Sequence, residues 1–154
     1  MTFFDHLRQG DLEQVQQMIS EDAALLEQKD PKGYPPIVLA AYHDQMETCR
    51  VLLEVGANPD AKDAAGNTAL MGVCFKGYTE IADLLINNGA DVNARNYSGA
   101  TALIYAATFG QEDIAKLLLD HGADRNMRDS RGNTAFSHAQ MQGTSKMTDL
   151  LKTE

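Results

Sequence analysis

The side chains able to do covalent or metal chemistry are four histidines (His6, His43, His121, His138) and two cysteines (Cys49, Cys74). Catalysis needs a nucleophile, a base and a charge stabiliser brought together, or a bound metal or cofactor. The histidines form no HExxH pair and keep no ligand spacing with the cysteines. No CxxC pair and no glycine-rich phosphate loop is present. The 22 acidic residues do not cluster, because Glu47, Glu54, Glu80, Asp83, Glu112, Asp113 and Asp120 are spread as on a solvated helix face. No catalytic residue, metal or cofactor is expected, and the chain reads as non-enzymatic. What remains is recognition chemistry. Five Phe and five Tyr are present, and six of these ten (Tyr34, Tyr42, Phe75, Tyr97, Tyr105, Phe109) fall within sets of first-helix and turn-tip positions that correspond along the chain. Aromatic side chains on an exposed stripe, edged by polar groups, are the composition of a protein-binding hot spot.

The correspondence is set by a repeat. Gly33, Gly66, Gly99 and Gly132 are spaced by 33 residues. Each is followed by a short run: Pro35-Pro36-Ile37, Thr68-Ala69-Leu70, Thr101-Ala102-Leu103 and Thr134-Ala135-Phe136. A second series is Gly77, Gly110 and Gly143, with Asp44 in the place of its first member. A third is Gly56, Gly89 and Gly122. Each unit reads as a turn followed by two short antiparallel helices. Thr68, Thr101 and Thr134 suit the N-cap of the first helix. Leu70, Val73 and Cys74, or Leu103, Ala106 and Ala107, keep the spacing of one buried helix face. Gly77 and Gly110 can end that helix in the left-handed conformation. A second helix follows, with Ile81, Leu84 and Leu85, or Ile114, Leu117 and Leu118, on its buried side. Cys74 aligns with Ala41 and Ala107, and Cys49 with Ala82 and Ala115, so both thiols are expected in the core.

The period, the Gly-x-Thr-x-Leu helix start and the Leu-Leu-x-x-Gly-Ala-Asp ending resemble the ankyrin repeat. The resemblance covers residues 30–154 and, more loosely, the N-terminus. It implies an all-α solenoid of stacked helix–turn–helix units joined by β-turn-like tips. Residues 1–29 read as an N-terminal capping helix pair, 30–62, 63–95 and 96–128 as complete units, and 129–154 as a truncated C-terminal cap, all in one domain. Val15, Met18 and Ile19 match second-helix core positions with a one-residue slip. Lys152 replaces the aliphatic residue seen at Leu53, Ile86 and Leu119, as suits a polar outer cap. Two departures weaken the first complete unit. Pro35 cannot cap as threonine does, and Asp44 must take a conformation that suits glycine.

Composition narrows the function further. The chain has 154 residues, 44% of them hydrophobic and 23% charged, which fits one soluble globular domain. A formal charge of −9 argues against sequence-independent binding to nucleic acid or an anionic membrane surface. The first residues have neither the basic start nor the apolar run of a secretory signal, and no window reads as a membrane helix, so a cytoplasmic location is expected.

On this scaffold the exposed positions that fail to recur are free to serve a partner. The first-helix triplets are Leu39, Tyr42, His43; Gly72, Phe75, Lys76; Tyr105, Thr108, Phe109; and His138, Met141, Gln142. In ankyrin-like stacks this face lines a concave groove beside the turn tips, where Tyr34 and Tyr97 fall. The expected anchors are Tyr42, Phe75 and Phe109, with Tyr105 and Met141 beside them and His43 and Lys76 as polar edges. Lys29, Lys62, Arg95 and Arg128 form a parallel basic series. It reads either as local pairing with the turn residues Asp30, Asp63, Asn96 and Asp129, or as a basic rim for an acidic partner edge. The resemblance implies an adaptor, inhibitor or accessory factor that binds an unidentified protein. The run 66–81 is similar to short bacterial ankyrin proteins, some linked to haem catalases. This implies an alternative as an accessory factor for a haem enzyme, with Tyr42, His43 or Tyr105 near haem. A eukaryotic-type signalling adaptor is a third reading.

Overall fold

The computed structural model describes residues 1–152 and is all-helical over them. Ten α-helices follow one another in pairs: α1 (Phe3–Gln9) with α2 (Leu12–Glu21), α3 (Pro36–Tyr42) with α4 (Met46–Glu54), α5 (Ala69–Lys76) with α6 (Thr79–Asn87), α7 (Ala102–Thr108) with α8 (Glu112–Asp120), and α9 (Ala135–Gln142) with α10 (Ser145–Leu151). A 3-10 turn, Ala23–Glu27, follows the first pair. The two-to-three-residue links fold each pair back on itself.

The local chemistry accounts for the helix starts. Thr68, Thr101 and Thr134 hold extended backbone, and their hydroxyls accept from the amides of Met71, Ile104 and Ser137. Pro35 stands at the same place before α3 and makes no side-chain cap. The first helices end at Gly10, Gly77, Gly110 and Gly143, all at positive φ, whereas the matching residue after α3 is Asp44 at φ 58. Among the described residues Asp44 is the one non-glycine residue at positive φ.

One continuous core runs the length of the stack. The first helices meet their neighbours more closely than the second helices do. Ala40, Ala41, Ala106 and Ala107, all fully buried, permit the close approach. Tighter spacing on one side bends the stack so that the first helices line its concave face. Leu52, Leu85 and Leu118 close the core from the second helices with no exposed surface. At the entry end Val15 and Ile19 of α2 are buried, and Met18 packs against the core half-buried. At the exit end Leu151 is buried and Lys152 exposed. No helix among the described residues is long and apolar enough to cross a membrane.

Candidate protein-binding face

Four aromatic rings, carried by three successive first helices and by Phe109 at the end of the third, touch in a row on the concave side. Tyr42 and Phe75 lie parallel with ring centres 6.3 Å apart, and Phe75 meets Phe109 edge to face at 4.7 Å. Phe109 lies nearly parallel to Tyr105 at 6.3 Å. The Nζ of Lys76 stands 4.7 Å over the Tyr42 ring, a distance suited to a cation–π contact. Tyr42, Phe75 and Phe109 keep 39%, 40% and 44% of their surface exposed, although the core beneath them is already filled. Helical spacing puts them there, since Ala41 and Cys74, each one residue before its ring, and Ala107, two residues before Phe109, are buried in the core.

The other expected residues separate into groups. Tyr34 is exposed, and it lines a cleft of about 210 Å³ together with Tyr42, Phe75 and Tyr105. His43 is exposed with its ring 6.1 Å from Tyr42. Burial first, then the charges of Arg8 and Lys76, hold its imidazole below the ordinary value of 6.5. Tyr97 stands out at a turn tip with the Lys62 Nζ 5.9 Å over its ring. Met141 is exposed on α9 and joins none of these aromatic contacts.

Several side chains depart from expectation. Leu39 is not on the exposed face but is buried in the core. Tyr105 is half-buried and fixed by its hydroxyl, which donates to Asn67 Oδ1 at 3.3 Å and accepts from Asn96 Nδ2 at 3.1 Å. It is a wall of the cleft and lacks the freedom of an anchor. The basic series pairs with none of the turn aspartates. Lys62 Nζ donates to the Arg95 carbonyl at 2.9 Å, and Arg95 Nη2 donates to the Arg128 carbonyl at 2.6 Å. Arg95 and Arg128 also reach the carbonyls of Gly99 and Gly132 in their own turns. Lys62 and Arg95 thus stitch one turn to the next, which sequence spacing alone does not distinguish from a rim.

The turn acids have a second pattern. In each turn one side-chain oxygen accepts two backbone amides: Asp30 from Lys32 and Tyr34, Asp63 from Ala65 and Asn67, Asn96 from Ser98 and Ala100, Asp129 from Arg131 and Asn133. The remaining atom differs from turn to turn. Asp30 Oδ2 accepts from Arg8 Nη2 at 3.0 Å, and Asp129 Oδ2 lies 2.8 Å from His138 Nε2. Asn96 Nδ2 donates to Asn67 and Tyr105. Among the described residues nothing hydrogen-bonds Asp63 Oδ2.

These repeated turns, helix pairs and stitches can be set against known families. A family model for ankyrin repeats (three copies) matches residues 4–96, and a second for ankyrin repeats (many copies) matches residues 76–139. The chain belongs to the ankyrin-repeat family. No curated protein matches it. Ankyrin repeats are generally non-catalytic modules that bind other proteins.

Within this ankyrin stack sequence spacing places Gly72 on the first-helix face and Asp63 among the turn residues paired with the basic series, and it assigns no role to Arg8. Arg8 lies in the N-terminal pair, where the one-residue slip hides its register. The signal for Asp63 is a nine-residue offset. Turn residue and first-helix residue pair as Asn96 with Tyr105 and Asp129 with His138, and the same offset from Asp63 reaches Gly72. Both cysteines are fully buried, and no group of three His, Cys, Asp or Glu among the described residues is arranged to hold a metal ion.

Proposed function

We propose that this ankyrin stack is a non-enzymatic interaction module that holds another protein on its concave face, anchored on Tyr42, Phe75 and Phe109. The observation that carries this reading is the unbroken exposed aromatic row over a completed core. Folding does not require such surface, and fully desolvating it against a partner is favourable. Lys76 and His43 at its edge supply polar selectivity. Lys62, Arg95 and Arg128 contribute first to the stack itself, because each already donates to a turn carbonyl. Binding without catalysis suits an adaptor, an inhibitor or an accessory factor, and a haem enzyme is one kind of partner such a factor serves.

Capture from a native lysate, with wild-type and Tyr42→Ala/Phe75→Ala/Phe109→Ala as baits of checked fold, tests the reading. Each anchor is expected to contribute ~2 kcal/mol or more, near thirtyfold in affinity, so the triple variant should retain nothing specific. Identical partners on both baits would move the binding site to the convex side.

A further inference from the structure

The cleft between Tyr34, Tyr42, Phe75 and Tyr105 has Asp63 at its floor and Gly72 where a side chain would otherwise fill it. Asp63 is 8% exposed. Its Oδ1 is committed to the turn, while its Oδ2 accepts no hydrogen bond from the described residues. No buried polar side-chain atom in the described structure lacks a partner, so Oδ2 meets solvent through the cleft. The other three turns complete themselves from within the chain, with Arg8 on Asp30, His138 on Asp129, and Asn67 with Tyr105 around Asn96.

In the second turn no residue of the preceding unit reaches Asp63 as Arg8 reaches Asp30, and the nine-residue offset falls on Gly72. This glycine occupies the position of Tyr105 and His138 and carries no side chain to offer. Of the twelve glycines it is the one that does not hold a positive φ, so the backbone has no need of glycine there. A glycine inside a helix costs about 0.5–1 kcal/mol relative to alanine. A Cβ at this position would stand 3.3 Å from Tyr42 Cδ1, so even alanine would press the ring that walls the cleft by a few tenths of an ångström.

We propose that this cleft receives an arginine side chain of the protein partner, with the guanidinium on Asp63 Oδ2 and its flat faces against the surrounding rings. The next cleft along shows the fit, since there Arg8 places its guanidinium on the equivalent carboxylate, Asp30, beside Tyr34 and Tyr42. Guanidinium is planar, weakly hydrated and able both to stack on aromatic faces and to donate to a carboxylate. The acidic balance of the chain favours a cationic visitor as well. This assignment rests on the interaction reading and names one contact within it.

The test is an amide NMR titration with Nα-acetyl-arginine methylamide, run beside the neutral citrulline analogue and the lysine analogue. Arginine is expected to shift the Gly72 amide saturably, citrulline not at all, and lysine more weakly. The response should vanish in Asp63→Asn, a change the turn tolerates because Asn96 makes the same two backbone contacts. It should also vanish in Gly72→His, which gives Asp63 the partner that Asp129 already has. No saturable shift at Gly72, equal shifts with citrulline or lysine, or shifts that survive Asp63→Asn would each overturn the assignment. The probe reports on the cleft alone, so a silent titration leaves the capture experiment on the aromatic row to be judged separately.

Discussion

His138 on α9 reaches back nine residues to place Nε2 2.8 Å from Oδ2 of Asp129, the carboxylate that organises the last turn. Burial works against the charged form of Asp129. The hydrogen bonds from His138 and from the Asn133 and Arg131 amides outweigh it and hold the carboxyl below its ordinary 3.8. A carboxyl depressed by folding stabilises the fold fully above its unfolded value, and that stabilisation is lost as pH falls through the lower folded value. The acid-side loss of thermal stability should therefore be shallower in His138→Ala and in Asp129→Asn than in wild type. Melting curves from neutral pH to below the carboxylate range check this. Identical acid limbs would place the effect elsewhere.

Asp44 ends α3 at φ 58, where a Cβ is strained, and glycine holds the matching place in the other pairs. Relief of the left-handed conformation is worth about 1 kcal/mol. Against it stands the loss of a carboxylate just before α4, favourable to the helix dipole by roughly 0.3–1 kcal/mol at low salt. Asp44→Gly should raise the melting temperature by a degree or two at low ionic strength and by more at high salt, about 2–4 °C for each kcal/mol gained. A melt that falls at both salt concentrations would show that the carboxylate matters beyond the dipole.

The repeat made the fold legible because every unit marks its turn, its cap and its helix end in the same register. Thr68, Thr101 and Thr134 do cap, and Pro35 and Asp44 depart where the spacing says they must. Helical periodicity likewise put Tyr42, Phe75 and Phe109 on one face. What periodicity misses is the reach of a side chain between units. Arg95 spans to the next turn, and Tyr105 bends toward Asn67, whose amide lies 38 residues back. Asp63 looks like its fellow turn residues in one dimension and differs in that Gly72 offers it no side chain and nothing among the described residues reaches it as Arg8 reaches Asp30.

Core and aromatic row should respond differently to truncation. Leu85 and Leu118 have no exposed surface, so alanine at either should cost ~2–5 kcal/mol. That is a large share of the ~5–15 kcal/mol typical of a whole domain. Phe75→Ala and Phe109→Ala should each cost roughly 1 kcal/mol, mainly the ring contact between them. Because the two rings touch, the double variant should lose less than the sum of the singles. Urea denaturation of wild type and the five variants decides it, and core-sized losses at Phe75 or Phe109 would remove them from the list of free anchors.

Arg95 ties its own turn at Gly99 and the following turn at Arg128 with one guanidinium. Hydrogen bonds from a charged donor contribute about 1.5–3 kcal/mol when buried, and less at this exposed site. Arg95→Ala should lower stability by roughly 1 kcal/mol and increase amide exchange first at α9 and α10, the pair beyond the broken stitch. Arg95→Lys should recover part of this, since Lys62 makes the equivalent span to the Arg95 carbonyl with a single ammonium. Exchange that rises uniformly along the stack would show that the stitch does not act locally.

The two thiols should report on how the stack opens. Burial first, and then the Asp44 charge, push the Cys49 thiol up to about 12, and burial raises Cys74 further still above its ordinary 9.0. Only the thiolate is an effective nucleophile, so neither should react with iodoacetamide in the folded chain except through local opening. Cys49 sits on α4, beside the helix that lacks a side-chain cap at Pro35 and ends in the strained Asp44. Cys74 sits on α5, capped at Thr68 and closed by Gly77. Labelling followed by mass spectrometry should therefore find Cys49 modified before Cys74. Asp44→Gly should slow the first reaction without changing the second. Prompt modification of Cys74 in the folded protein would contradict its burial, and equal rates at both sites would mean that the stack opens as one unit.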